Sequence, residues 1–182
     1  EEGQGVVFFG GKQLFELNPS NKKYLSLIHH TKRIKEELTL KENMIMITCS
    51  GTIGKVTIVP RHWENWTANQ HILRVVPADD AIAGYIYAWL STDYGYELIK
   101  RFTYGSVVDE IDNNHASRIQ IPLLKNKIVQ NRINNLVLES NKKRYDSYLL
   151  EQKAIKMVNN QVIYSVEKNK SLSDLPMAAE EF

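Results

Sequence analysis

Apolar and polar positions along this chain change rhythm three times. Up to about residue 76, short apolar runs alternate with glycine, proline and asparagine. From 81 to 102 the apolar residues recur at helical spacing. From about Lys125 to Val162 there is neither proline nor glycine, and helix-forming residues dominate. In the first regime, Met44-Ile45-Met46-Ile47 leads into Thr48-Cys49-Ser50-Gly51-Thr52-Ile53-Gly54-Lys55, and Val56-Thr57-Ile58-Val59 leaves it before Pro60. This predicts two strands joined at a glycine corner. Gly51 and Gly54 permit positive φ, and the apolar Ile53 between them is expected to be buried, clamping the loop at its middle. Upstream, "GVVFFGGKQLFEL" (5–17) reads as a strand, a turn at Gly10-Gly11, and a short strand or helix.

In the second regime, Ile82, Tyr85, Ile86, Trp89 and Leu90 follow the i, i+3, i+4, i+7, i+8 pattern of an amphipathic helix. Ser91-Thr92-Asp93 breaks it and caps a second helix through Leu98, Ile99 and Phe102. Ile119-Gln120-Ile121-Pro122-Leu123-Leu124 predicts a short alternating strand ended by proline. In the third regime, Val129, Ile133, Leu136, Val137, Tyr148, Leu149, Ile155, Val158 and Val162 form an apolar seam interrupted by the polar stretch Ser140 to Ser147. A helix this long cannot bury such a seam on a small domain, so a coiled coil or projecting arm is expected. The resulting expectation is an α/β (α+β) fold: a mixed, mainly antiparallel sheet domain with short helices over 1–124, a long projecting C-terminal helix of coiled-coil type over 125–164, and a flexible tail over 165–182.

Composition sharpens this picture only modestly. An apolar fraction of 43% with three tryptophans supplies a real core. A net charge of +2 is compatible with nucleic acid without demonstrating it, because binding depends on where cations cluster. The single cysteine, Cys49, excludes an intramolecular disulfide and suits a reducing cytoplasm. No apolar run is long enough to span a bilayer, so no membrane association is expected.

Charge and chemistry single out a few stretches. Lys22, Lys23, His29, His30, Lys32, Arg33 and Lys35 make a basic cluster. It reads either as a solvated face or as a DNA-contact loop in which Lys and Arg displace condensed counterions. The adjacent histidines lack partners at metal-ligand spacing. Arg61-His62-Trp63-Glu64-Asn65-Trp66 supports two readings: tryptophans as core plugs, or a loop whose Arg61, His62 and Asn65 read base edges. The acidic stretch Asp109-Glu110-Ile111-Asp112 suits capping and turn formation. The glycine corner is neither a P-loop, since no helix opens directly after it, nor a nucleophile elbow, since the serine lacks flanking glycines. An enzyme using Cys49 as nucleophile with His62 or His71 as base is a competing class. A protein-interaction adaptor working through the long helix is another.

Five pieces in order carry a more specific signal: "TCSGTIGKVTIVP", "ANQHILRVVP", "YGSVVDEID", "IQIPLL", and Gln130 opening the long helix. Together they resemble the target-recognition domain and adjoining helix of the specificity (S) subunit of type I restriction-modification enzymes, over roughly residues 40 to 160. The resemblance implies a non-catalytic, cytoplasmic protein that reads double-stranded DNA. Its expected partners are methyltransferase (modification) subunits, the restriction subunit and a second copy through the long helix. It also implies that S-adenosylmethionine, ATP and Mg belong to the partner subunits, with no cofactor or metal in this chain. In that family the domain starts further upstream than Glu1, so a fragment of a longer protein is expected. The expected DNA contacts are Lys22, Lys23, Lys32, Arg33, Arg61, His62, Asn65, Lys100, Arg101 and Tyr104. The expected loop scaffold is Gly51, Thr52, Ile53, Gly54, Asn69 and Gln70, with the two amides inside the fold satisfying loop backbone. Ile133, Val137, Tyr148 and Ile155 are the expected partner-facing positions of the helix.

Overall fold

The computed structural model describes residues 5–19, 21–26, 37–103 and 110–163. Six strands form two three-stranded sheets. In the first, β1 (Gly5–Phe9) lies between β2 (Lys23–Ser26), antiparallel, and β5 (Thr67–Ala68), parallel. In the second, β3 (Ile45–Thr48) lies between β4 (Val56–Ile58) and β6 (Ile72–Val75), both antiparallel. The expected hairpin is therefore present, with Ile45 opposite Ile58 and Ile47 opposite Val56.

β3 is apolar on both faces because it is covered on both. Met44 and Met46 join Phe9, Leu14, Leu40, Val59, Trp63 and Ala68 in one core, against the first sheet. Ile45 and Ile47 join Ile53, Val56, Leu90, Ile99 and Ile111 in a second. That second core is roofed by α1 (Asp80–Leu90) and α2 (Asp93–Lys100). A strand buried on both sides loses polar alternation and reads as a continuous apolar run.

Local signals set the helix ends. The Thr92 hydroxyl accepts a hydrogen bond from the Gly95 amide at 3.1 Å and caps α2. Asp112 accepts from the His115 amide at 2.9 Å and caps the single turn α3 (Asn113–Ala116). The 119–124 segment, expected as a strand, pairs with no sheet. Proline at 122 has no N–H to give a ladder, and its carbonyl is used instead by the Tyr85 hydroxyl.

The long helix, α4 (Lys127–Val158), is present and ends in a wider turn over Asn159–Ile163. The chain divides into two compact units, Glu1–Tyr145 and Asp146–Phe182. The first extends past the expected boundary at 124 because the first half of α4 packs on the domain. Its buried residues lie outside the apolar seam: they are Gln130, Asn134 and Asn141. Asn134 Oδ1 accepts from the backbone N–H groups of Gly84 and Tyr85 at 2.8 and 3.2 Å. Asn141 Nδ2 donates to the Val59 carbonyl at 2.9 Å and to Asn43 Oδ1 at 3.2 Å. Arg144 donates to the Ile58 carbonyl at 3.1 Å, and burial holds its guanidinium below the usual arginine range. Meanwhile Ile128 and Leu136 are exposed. In the second unit Leu149, Leu150, Ile155, Met157 and Val158 are exposed as well. Among the described residues no helix is long and apolar enough to cross a membrane.

Candidate nucleic-acid interface

The glycine corner is built as expected. Gly51 and Gly54 have φ of +72° and +86°, and Ile53 between them is buried in the second core. The Thr48 hydroxyl accepts from the Lys55 amide and donates to the Thr52 carbonyl, which ties the two ends of the loop together. Gly54 is also a point of close approach: a Cβ there would lie 2.8 Å from the Tyr96 ring of α2. Gly51 and Thr52 remain exposed at the tip.

Asn69 is half-buried, and its Oδ1 accepts from the His71 amide, two residues on, at 3.1 Å. Gln70 departs from its expected place. Its side chain is exposed and meets the neighbouring His71 ring, so it is not an internal brace. Its carbonyl serves instead as the acceptor for the Cys49 thiol at 3.6 Å.

The Arg61–Trp66 segment resolves in favour of packing for its aromatic residues. Trp63 is fully buried, 4.9 Å from the Phe9 ring centroid and stacked on Trp66 at 6.1 Å. His62 is half-buried, its ring stacked on Tyr145 of α4, and its Nε2 lies 2.6 Å from the Leu17 carbonyl. A carbonyl only accepts, so Nε2 carries the proton, and that nitrogen is turned inward rather than toward a base edge. Arg61 and Asn65 are exposed, with Arg61 5.7 Å from the Tyr145 ring. Asn65 adopts a left-handed φ of 65°.

Desolvation lowers the His62 pKa below 6.5, and the charges of Arg144 and Lys22 add to this against the Leu17 hydrogen bond. Unfolded chains take up the proton near 6.5 and the folded chain only at lower pH, so between those values the unfolded state binds more protons and stability rises with pH. Urea midpoints should therefore fall as pH drops from about 6.5 through the lowered folded value. In His62→Gln that part of the pH dependence should vanish. Parallel curves for the two proteins would refute the assignment.

Of the other expected contacts, Lys23, Lys100 and Arg101 are exposed. Lys22 is half-buried with its ammonium 4.8 Å from the Trp66 ring, and Lys100 lies 5.3 Å from the Tyr96 ring. Lys32, Arg33 and Tyr104 lie outside the described residues. Lys100 and Tyr96 share α2 with the wall of the glycine corner, whereas Arg61 and His62 lie against α4, so the structure separates the expected contacts into two groups. On the helix, Val137 faces Gly84 of α1 and Ile155 is exposed.

Two lysines absent from the expected set, Lys12 and Lys55, stand beside the glycine corner in a cavity of about 360 Å³. Each follows a glycine directly in sequence, a signal that charge clustering overlooks. The competing thiolate chemistry is disfavoured: Cys49 is buried, and desolvation, with Glu110 nearby, raises its pKa. His62 sits in the other core region, and His71 shares a cavity wall with a thiol held in its protonated form.

The fold is a two-sheet domain with a glycine-cornered hairpin, exposed cations and a long helix packed on it by its first half. Residues 17–133 match the family described as the type I restriction modification DNA specificity domain, and the chain belongs to that family. No curated protein matches the chain. Among solved structures it is similar to the S subunit of a type-I restriction-modification system from M. genitalium, at 16% identity and a TM-score of 0.49. That match covers 89% of this chain and 38% of the subunit, so the chain spans just over a third of that protein's length.

Proposed function

We propose that this chain is a non-catalytic DNA-reading part of a restriction-modification system, recognising part of a double-stranded target in the cytoplasm and docking methyltransferase subunits through its long helix. The observation that carries the reading is its membership of the DNA specificity domain family across 17–133. In this reading Lys22, Lys23, Lys32, Arg33, Lys100, Arg101 and Tyr104 contribute affinity at the backbone. Arg61 and Asn65, held outward by the buried Trp63, contribute discrimination, and His62 positions them. The exposed apolar side chains of the second unit, Ile155 among them, are the docking positions for methyltransferase subunits, or for a second copy. S-adenosylmethionine, ATP and Mg²⁺ would be held by partner subunits.

Fluorescence anisotropy with mixed duplexes at low salt, using the chain alone and with its methyltransferase subunits, tests the reading. Lys32→Ala with Arg33→Ala should weaken all duplexes alike and flatten the salt dependence. Arg61→Ala should cost roughly 1 to 3 kcal/mol at one base position. Absence of binding by both preparations would refute the proposal.

A further inference from the structure

The two glycine corners, distant in sequence, meet in space. A Cβ on Gly10 would lie 3.1 Å from Asn69 Nδ2, and one on Gly11 would lie 3.2 Å from Thr48 Cγ2, so the first corner packs directly against the hairpin corner. Between them runs a trough of two adjoining cavities that share Gly11, Lys12 and Asn69. The lobe of about 360 Å³ is walled by Lys12 on one side and by Gly51, Thr52 and Lys55 on the other, with no carboxylate in its lining. The second lobe, about 520 Å³, adds Lys23 and includes Glu16.

The donors in the smaller lobe are unspent. Lys12 and Lys55 are exposed and, among the described residues, ion-pair with no carboxylate; the Lys55 ammonium rests 5.7 Å from the exposed Phe15 ring. The backbone N–H groups of Gly51 and Thr52 donate to no backbone acceptor among the described residues. Nothing lies within 4 Å of where a Gly51 Cβ would stand, so the corner is open on that side. Turn N–H groups beside ammonium groups, in a lobe lined by no carboxylate, suit an anion. Ser50 lines the lobe, but its hydroxyl is bonded to Glu110 at 3.3 Å.

We infer that this trough seats phosphates of one strand of the DNA duplex, with Lys12 and Lys55 gripping it from opposite walls and the Gly51–Thr52 amides donating from the hairpin corner. The inference rests on the DNA-reading function proposed above and adds two residues and a place to it. Lys23 lines the adjoining lobe. A cation already assigned to the backbone thus adjoins the trough.

The test is the salt dependence of duplex binding by the full chain carrying Lys12→Ala with Lys55→Ala. Two lost phosphate contacts should reduce the slope of log affinity against log salt by about 1.8, which at 0.1 M salt is a loss of some tens-fold. The loss should be equal for all sequences, restored by Lys12→Arg with Lys55→Arg, and accompanied in the wild type by duplex protection of both lysines from acetylation. Wild-type affinity and slope in the alanine variant would overturn the inference while leaving the DNA reading intact. A wild type that binds no duplex, either alone or with its methyltransferase subunits, would overturn both. Protection of the two lysines by inorganic phosphate but not by duplex would assign the seat to a free anion and overturn its assignment to DNA.

Discussion

Valine in place of Gly84 is expected to lower the stability of the domain by about 4 kcal/mol and to loosen the long helix where it docks. A Cβ at this position would lie 2.4 Å from the Asn134 carbonyl oxygen and 3.0 Å from the Val137 Cβ, so α1 and α4 touch backbone to backbone. Forcing them apart costs roughly 1 to 3 kcal/mol in overpacking. It also stretches the two hydrogen bonds from Gly84 and Tyr85 to Asn134 Oδ1, and each buried N–H left unsatisfied costs about 1 to 3 kcal/mol more. Alanine separates this account from ordinary helix propensity. With free space, Gly84→Ala would gain about 1 kcal/mol; with the observed contact it should destabilise. Urea unfolding read by circular dichroism decides the sign, and an alanine variant as stable as the wild type would refute the contact.

Trp63→Ala should cost about 3 to 5 kcal/mol, the range for emptying a fully buried indole. In a chain of this size that is a fall in Tm of roughly 6 to 20 °C. The indole touches more than its own core. It stacks on Trp66, meets Phe9, and carries the Arg144 guanidinium 5.4 Å from its ring. On the function proposed above, its removal should also free Arg61 and Asn65 and blur discrimination between duplexes. Trp66→Ala, at a partly buried site, should cost less. A Trp63→Ala protein melting within a few degrees of the wild type would contradict the packing described.

Those two positions also mark where the sequence was legible. The hairpin could be read locally, because glycine at 51 and 54 and the apolar runs around them state their conformation without help from distant residues. The caps at Thr92 and Asp112 are local in the same way. The docking face of α4 was not legible. Apolar periodicity marks a seam for a coiled coil or projecting arm and says nothing of the residues that turn toward the domain, Gln130, Asn134 and Asn141. Asn134 and Asn141 bond to backbone groups contributed by Gly84 and Val59, and no local pattern announces such tertiary partners. The trough escaped for a related reason. Lys12 and Lys55 are isolated charges in the sequence, and only the packing of Gly10-Gly11 against Asn69 and Thr48 brings their two corners together.

One further consequence follows from Arg144. β4 is the outermost strand of its sheet, and an uncovered outermost strand is a template onto which another chain can add. On that rim the Ile58 carbonyl, which faces away from β3, accepts from the guanidinium of Arg144. The long helix thus covers one outward acceptor of that rim, and a chain shortened ahead of Arg144 would leave it bare.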